Sequence, residues 1–343
     1  MKMTAQPQKK TQSAVTIQPE WAQHKAMWIA FPSDPELWLE DLQPAQEEAA
    51  AMANLIAEGE KVYMLACGDE AVQSAKKLLG KNTEVVPAEF GDIWLRDTGP
   101  IWASVNGAHT ALRFKVNGWG GKYDYPADRA IGDFIAKKSG SPTHAFDLVL
   151  EGGSLENDGE GTILTTKECL LNPNRNPGKS QEQIEDILKE AFGAGKILWL
   201  DDGLLNDHTD GHIDNIARFI APNKVLCQSP VKNDPNEKVL KKIAADLEKM
   251  TAANGKKIEV VLAPSPGLVT GYEDEPIAAS HMNFIIGNNA IAVPTYGTES
   301  ADSAVAAIQK LFPDHKVKGL KSTSILTNGG GSFHCMTQQE PKE

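Results

Sequence analysis

Apolar residues along this chain fall into short dense blocks and longer periodic segments, and the two kinds take turns. The blocks at residues 27–31, 61–67, 83–86, 146–150, 196–200 and 257–262 are brief apolar runs edged by Gly, Pro or acidic residues, the signature of buried strands. The segments at 44–58, 69–79, 128–138, 180–192, 233–251 and 300–311 read as helices. Pro44 opens the first of these and Gly59 ends it, while Ser180 is placed to cap the fourth. Hairpins are predicted around Pro222-Asn223 and around Gly287-Asn288-Asn289. Strand-type residues also surround Arg96-Asp97 and fill 111–116, 161–172, 317–320 and 322–326, whereas the glycine-rich stretch 117–123 reads as loop.

The order of elements recurs. A helix leads to a strand, then a polar loop, a hairpin and another helix. Asp97, Glu151, His212, His281 and Cys335 stand at corresponding places, spaced 54 to 69 residues apart. Residue identity hardly repeats, so the repeat is structural. A closed ring of such units would aim all five loops at one axis and bring distant residues into one pocket. No linker divides the chain. A flexible tail is expected over residues 1–19, followed by a single catalytic domain over 20–343.

Composition narrows the partners. With 46 acidic against 34 basic residues the net charge is −12, which disfavours nucleic acid and anionic membrane surfaces and suits a cationic ligand. The chain has no run of apolar residues long enough to cross a membrane, and its polar N-terminus lacks the apolar core of a signal peptide. Four scattered cysteines without a CxxC pair fit reduced thiols and a cytoplasmic location.

The stretch at 329–339 sets three glycines before Cys335. Two readings fit: a small packed thiol, the common state of a free cysteine, or a nucleophile presented by a tight turn. His208 and His212, four apart with Asp201, Asp202, Asp207 and Asp214 nearby, raise a metal site as an alternative, but Gly211 interrupts the spacing and the segment is not helical. Asp97, Glu151 and Asp214 each stand beside Gly, Arg or His at a strand end. That is more carboxylate than one histidine needs, and it matches the paired N–H donors of a guanidinium. Acidic neighbours also raise a thiol's pKa, so the free thiol is expected to be protonated. Trp94 and Trp119 are candidate pocket walls, Trp119 being the better because glycines flank it. Cys67, Cys169 and Cys227 read as core, and His334 is expected to point away from Cys335 if the backbone there is extended.

Taken together, Asp92-Ile93-Trp94-Leu95-Arg96-Asp97-Thr98-Gly99-Pro100, Asn117-Gly118-Trp119-Gly120-Gly121, Leu150-Glu151-Gly152-Gly153, Asn174-Arg175-Asn176-Pro177, Thr209-Asp210-Gly211-His212-Ile213-Asp214 and residues 329–339 resemble the agmatine deiminase family of the guanidine-modifying superfamily. The resemblance implies a five-bladed pseudosymmetric α/β propeller of ββαβ-type repeats, pentein-like. It implies hydrolysis of agmatine to N-carbamoylputrescine and ammonia without metal or cofactor, in polyamine metabolism. Another guanidine (arginine, methylarginine or peptidyl-arginine) is the alternative substrate. By motif, Cys335 is the nucleophile and His212 the general acid and base. Glu151 orients His212, Asp97 and Asp214 clamp the guanidinium, and Trp94, Trp119 and Gly330 join the substrate site. A homodimer is a family-level expectation. The chain departs from the usual pattern at Glu156-Asn157, His281 and Ser332-Phe333, and Glu156 and Asp202 are candidates to meet a substrate-tail amine.

Overall fold

The structure, a computed structural model, describes residues 14–342. Of the expected tail, residues 1–13 lie outside the described residues, and Val15–Thr16 is no tail: it pairs antiparallel with Val105 and Ser104. Strand structure thus starts before residue 20, because this pairing hydrogen-bonds the edge of Ile101–Val105 that would otherwise be open.

The architecture is mixed α/β, with five sheets among the described residues. One unit recurs in them: an antiparallel pair, then a parallel strand reached through a helix. Ile101–Val105 and Ala108–Lys115 pair antiparallel, and Thr143–Val149 returns parallel after helix Asp128–Ser139. Glu156–Asn157, Thr162–Thr166 and Lys196–Leu200 repeat this through helix Gln181–Phe192. Ala217–Ala221, Lys224–Ser229 and Glu259–Pro264 do so through Glu237–Leu247, and Ile285–Ile286, Ala290–Thr295 and Lys316–Lys321 through Ala301–Leu311. In the fifth sheet the C-terminal strand Thr337–Pro341 lies antiparallel to His24–Ala30, and Lys61–Ala66 and Thr83–Pro87 follow in parallel. His24–Ala30 and the C-terminal strand Thr337–Pro341 thus share a sheet, and Cys335 sits two residues before Thr337. Each crossover helix packs one apolar face. Gln181–Phe192 buries Ile184, Leu188, Ala191 and Phe192, and Ser180 caps it in a reciprocal box with Gln183.

Several predicted strands are helical, each for a nearby reason. Residues 322–326 begin helix Thr323–Gly329, because the Glu48 carboxylate accepts the backbone N–H groups of Ser324 and Ile325 at 3.2 and 3.0 Å. Arg96-Asp97 occupies a one-turn helix, Leu95–Thr98, closed by Gly99 N–H donating to the Leu95 carbonyl at 2.8 Å. The strand expected over 161–172 stops at Thr166, whose hydroxyl caps helix Lys167–Leu170. The stretch 117–123 is a loop as expected, with a left-handed turn in which Trp119 is held at φ 53° and Gly120 at φ 83°. Cys67 is half-buried, not core, with Sγ 3.6 Å from Glu89 Oε2.

Arg218 ties the third unit to its neighbours. Its guanidinium is wholly buried, pairs with Glu20 and Glu156, and donates to the carbonyls of Met282 and Phe284 at 3.0 and 2.6 Å. Glu156 is committed to this pair and to Phe219 N–H, so it does not face the pocket described below. Replacing Arg218 by Met strands two buried carboxylates. The expected loss is about 3–5 kcal/mol, read as a lower urea midpoint at unchanged slope, and a loss under about 1 kcal/mol would contradict the assigned role.

Candidate active site

Cys335 stands at the floor of a pocket walled by Trp38, Trp94 and Trp119, with Asp92 and Asp97 among its lining. The thiol is buried, 4% exposed, and its carbonyl accepts from Arg96 N–H at 3.0 Å, which joins the turn to the Leu95–Thr98 helix. The glycines before it have separate tasks. Gly330 ends the preceding helix at φ 76°, a left-handed cap. At Gly329 and Gly331 a Cβ would come within 2.6 Å of the Trp94 ring, so the indole lies directly on bare backbone. Gly330 is among the residues that line the pocket.

Three buried carboxylates converge here, each held by a fixed donor. Asp97 accepts from Trp119 Nε1 at 2.8 Å and from Gly153 N–H at 3.0 Å. Glu151 accepts from Arg175 Nε at 2.8 Å. Asp214 accepts from His334 Nδ1 at 2.7 Å and lies 3.8 Å from Cys335 Sγ. Oδ1 of Asp214 and Oε1 of Glu151 are buried without a protein partner. His212, fully buried, lies between Asp97 and Glu151 with its ring nitrogens 3.8 and 3.9 Å from their oxygens. These are charge contacts and not hydrogen bonds. Gly153 makes the convergence possible. A Cβ there would fall 2.6 Å from His212 Nδ1 and 2.9 Å from Asp97 Oδ1.

Burial dominates the electrostatics. For Cys335 it pushes the thiol well above its ordinary pKa, and the Asp214 and Asp97 charges add to the rise. Burial also raises Asp97, and the charges of Asp214 and Glu151 push the same way. Burial opposes the charged form of His212, but Asp97, Cys169 and Glu151 outweigh it and raise the imidazole well above its usual value. Burial would raise Asp214 too, yet the hydrogen bond and charge of His334 carry it below the usual carboxylate range. Asp92, bonded to Trp94 Nε1 at 2.7 Å, is pushed up to about 7, chiefly by burial.

Some expectations shift. His334 does not point away, because the backbone turns at Ser332–Met336 instead of running extended. Its ring bridges Asp214 and Glu20, with Nε2 2.8 Å from Glu20 Oε2. His208 and His212 do not share a site: His208 lies at the pocket mouth, its Nδ1 3.1 Å from the Tyr123 hydroxyl. Asp202 is exposed and outside the pocket lining. Cys169 is core as predicted, but its Sγ also lies 4.0 Å from Glu151 Oε2. Among the described residues two triads bring ligand-type atoms within 4.8 Å, Glu151–Cys169–His212 and Glu20–Glu156–His334. Both already serve the charge pairing described. Trp38 and Tyr125 carry no local mark, while Asp92, Tyr123 and His334 lie in stretches singled out above without being assigned a place in the site.

Over residues 16–341 the chain matches the Porphyromonas-type peptidyl-arginine deiminase family. It belongs to that family. Agmatine deiminase of Stutzerimonas stutzeri is 36% identical over 347 residues, spanning 94% of each chain. Among solved structures, agmatine deiminase of Enterococcus faecalis superposes with a TM-score of 0.90 at 32% identity, covering 96% of both chains. A substrate-bound form of the C. jejuni agmatine deiminase gives a TM-score of 0.88 at 30% identity, over 98% of this chain and 99% of that one.

The site makes a titration testable. Thiolate fraction rises with pH through the thiol pKa, so alkylation of Cys335 in the ligand-free protein should follow an apparent pKa at or above the free-thiol value of about 8.5. A strongly depressed value would contradict the acidic-site reading.

Proposed function

We propose that this chain is an agmatine deiminase, hydrolysing agmatine to N-carbamoylputrescine and ammonia, with the covalent intermediate on Cys335. The observation that carries the reading is a buried thiol with Asp214 3.8 Å away, which burial and the charges of Asp214 and Asp97 hold well above its ordinary pKa, beside His212 set between Asp97 and Glu151. Such a centre suits a substrate that brings its own positive charge. The named relatives support the same reaction.

In the proposed mechanism Asp97 and Asp214 hold the guanidinium, and the charge of that bound cation lowers the free energy of the thiolate, the thiol proton passing to solvent. The thiolate adds to the guanidinium carbon. His212, charged between Asp97 and Glu151, gives its proton to one amino group, and ammonia leaves as the C–N bond breaks. An S-alkylthiouronium remains. Neutral His212 then takes a proton from water, the hydroxide adds to the same carbon, and the C–S bond breaks. The hydroxyl proton is lost to solvent, giving the ureido product and the free thiolate.

The pocket favours agmatine over free arginine. Its lining contains no Lys or Arg among the described residues to meet a carboxylate, whereas Asp92 is placed for a tail amine. Trp94 and Trp119 form the walls along the aliphatic stem. Glu156 and Asp202 give up that tail role to Asp92. On this reading the five repeated units close into a five-bladed propeller and residues 20–343 act as one catalytic domain, with the N-terminal strand pairing as an accessory. Four free cysteines support a cytoplasmic setting, and among the described residues no helix is long and apolar enough to cross a membrane. The homodimer rests on the family resemblance alone.

The test is ammonia release and ureido-product formation over a panel of agmatine, arginine, methylarginines and an arginyl peptide. Agmatine should be turned over best, and Cys335→Ala should abolish release. Turnover confined to another member of the panel would refute the substrate assignment.

A further inference from the structure

The catalytic sulfur has a neighbour of the opposite influence. Asn283, wholly buried, directs Nδ2 to Cys335 Sγ at 3.1 Å. It lies in the turn before Ile285–Ile286, two residues past His281, the position where the repeat pattern had placed the fourth site residue. His281 itself turns away: its Nδ1 is 2.8 Å from the Pro294 carbonyl and its ring stacks on Tyr296. The site contribution of this unit therefore comes from the asparagine.

Its amide cannot be reversed without breaking its bonding pattern. Oδ1 accepts the backbone N–H groups of His334 at 2.9 Å and Cys335 at 3.3 Å, and only an oxygen can take both. Nδ2 must then face the other way, where one hydrogen meets Asn215 Oδ1 at 2.9 Å and the other meets the sulfur. Asn215 is oriented in turn, because its Nδ2 donates to Asp207 Oδ2 at 3.2 Å. Both hydrogens and the oxygen of the Asn283 side chain are thus engaged, and turning it would unpair buried groups.

We propose that Asn283 is a further catalytic residue, whose Nδ2–H stabilises the Cys335 thiolate that attacks the substrate carbon. The inference rests on Cys335 being the nucleophile of the proposed reaction. When the S–H bond breaks, the proton goes to solvent and the electron pair stays on sulfur, facing this donor. Asp214 and Asp97 oppose that ionisation, and the Ser332 backbone assists it alongside Asn283. His212 and His334 are the ring groups nearest those two acids. A neutral amide is suited to the task. A lysine or arginine at this position would stabilise the thiolate more strongly but would repel a guanidinium.

The experiment measures iodoacetamide alkylation of Cys335 in ligand-free protein from pH 7 to 10, mapped by peptide mass spectrometry, for wild type, Asn283→Ala and Asn215→Ala. Loss of the donor should slow Cys335 alkylation about tenfold at each pH below the thiol pKa, equivalent to one unit of pKa. Asn215→Ala, which only frees the amide, should slow it less. An unchanged or faster rate in folded Asn283→Ala overturns the proposal, and faster alkylation is what a merely loosened turn would give. If Asn283→Ala does not fold, Asn215→Ala decides by the same criterion. No substrate enters this assay, so failure to hydrolyse agmatine would be recognised separately.

Discussion

Three carboxylates and a thiol are buried together around one point, and that concentration of potential negative charge is what the surrounding structure must accommodate. An unpaired buried carboxylate is so unfavourable that it would normally take up a proton. Here each is held by a dedicated donor: Trp119 and Gly153 on Asp97, Arg175 on Glu151, His334 on Asp214. The donors come from four different parts of the chain. This explains why bare backbone is needed at Gly153, where a methyl group would fall against His212. It also explains the buried Arg218, which balances Glu20, the other partner of His334.

The same concentration decides how the thiol works. Sites that need a resting thiolate place cations near the sulfur. This one does the reverse, and Cys335 is driven toward its neutral form by burial and by Asp214 and Asp97. Ionisation becomes favourable when a positive ligand enters, so reactivity is tied to occupancy by a cation. His212 sits between Asp97 and Glu151, which favour its charged form, and in the proposed mechanism it supplies the proton. In the proposed mechanism this arrangement couples substrate charge, nucleophile activation and leaving-group protonation.

Much of the frame was readable from the order of residues. Apolar runs and helical segments located the units, Ser180 located a cap, and the glycine-flanked motifs located Asp97, Glu151, His212, Asp214 and Cys335. What escaped depends on groups far away in sequence. Helix Thr323–Gly329 contains strand-like residues and forms because Glu48, some 275 positions earlier, caps it. His334 was judged by the alternation of an extended segment, but a turn brings its ring to Asp214. His281 looked like a site residue because histidine is chemically conspicuous, whereas the side chain reaching the sulfur is an amide with no local mark. Asp92 belongs to a quoted motif, yet its place in the pocket follows only from the packing of Trp94 and Trp38.

The central claim is that Cys335 attacks a guanidinium carbon inside this acidic cluster. Its most direct test is the mass of intact protein quenched during turnover of agmatine, followed by peptide mapping. The account predicts an adduct equal to agmatine less ammonia, on Cys335 alone and absent from Cys335→Ala. An adduct on Cys169, or full turnover with no adduct under conditions that trap thiouronium species, would contradict it.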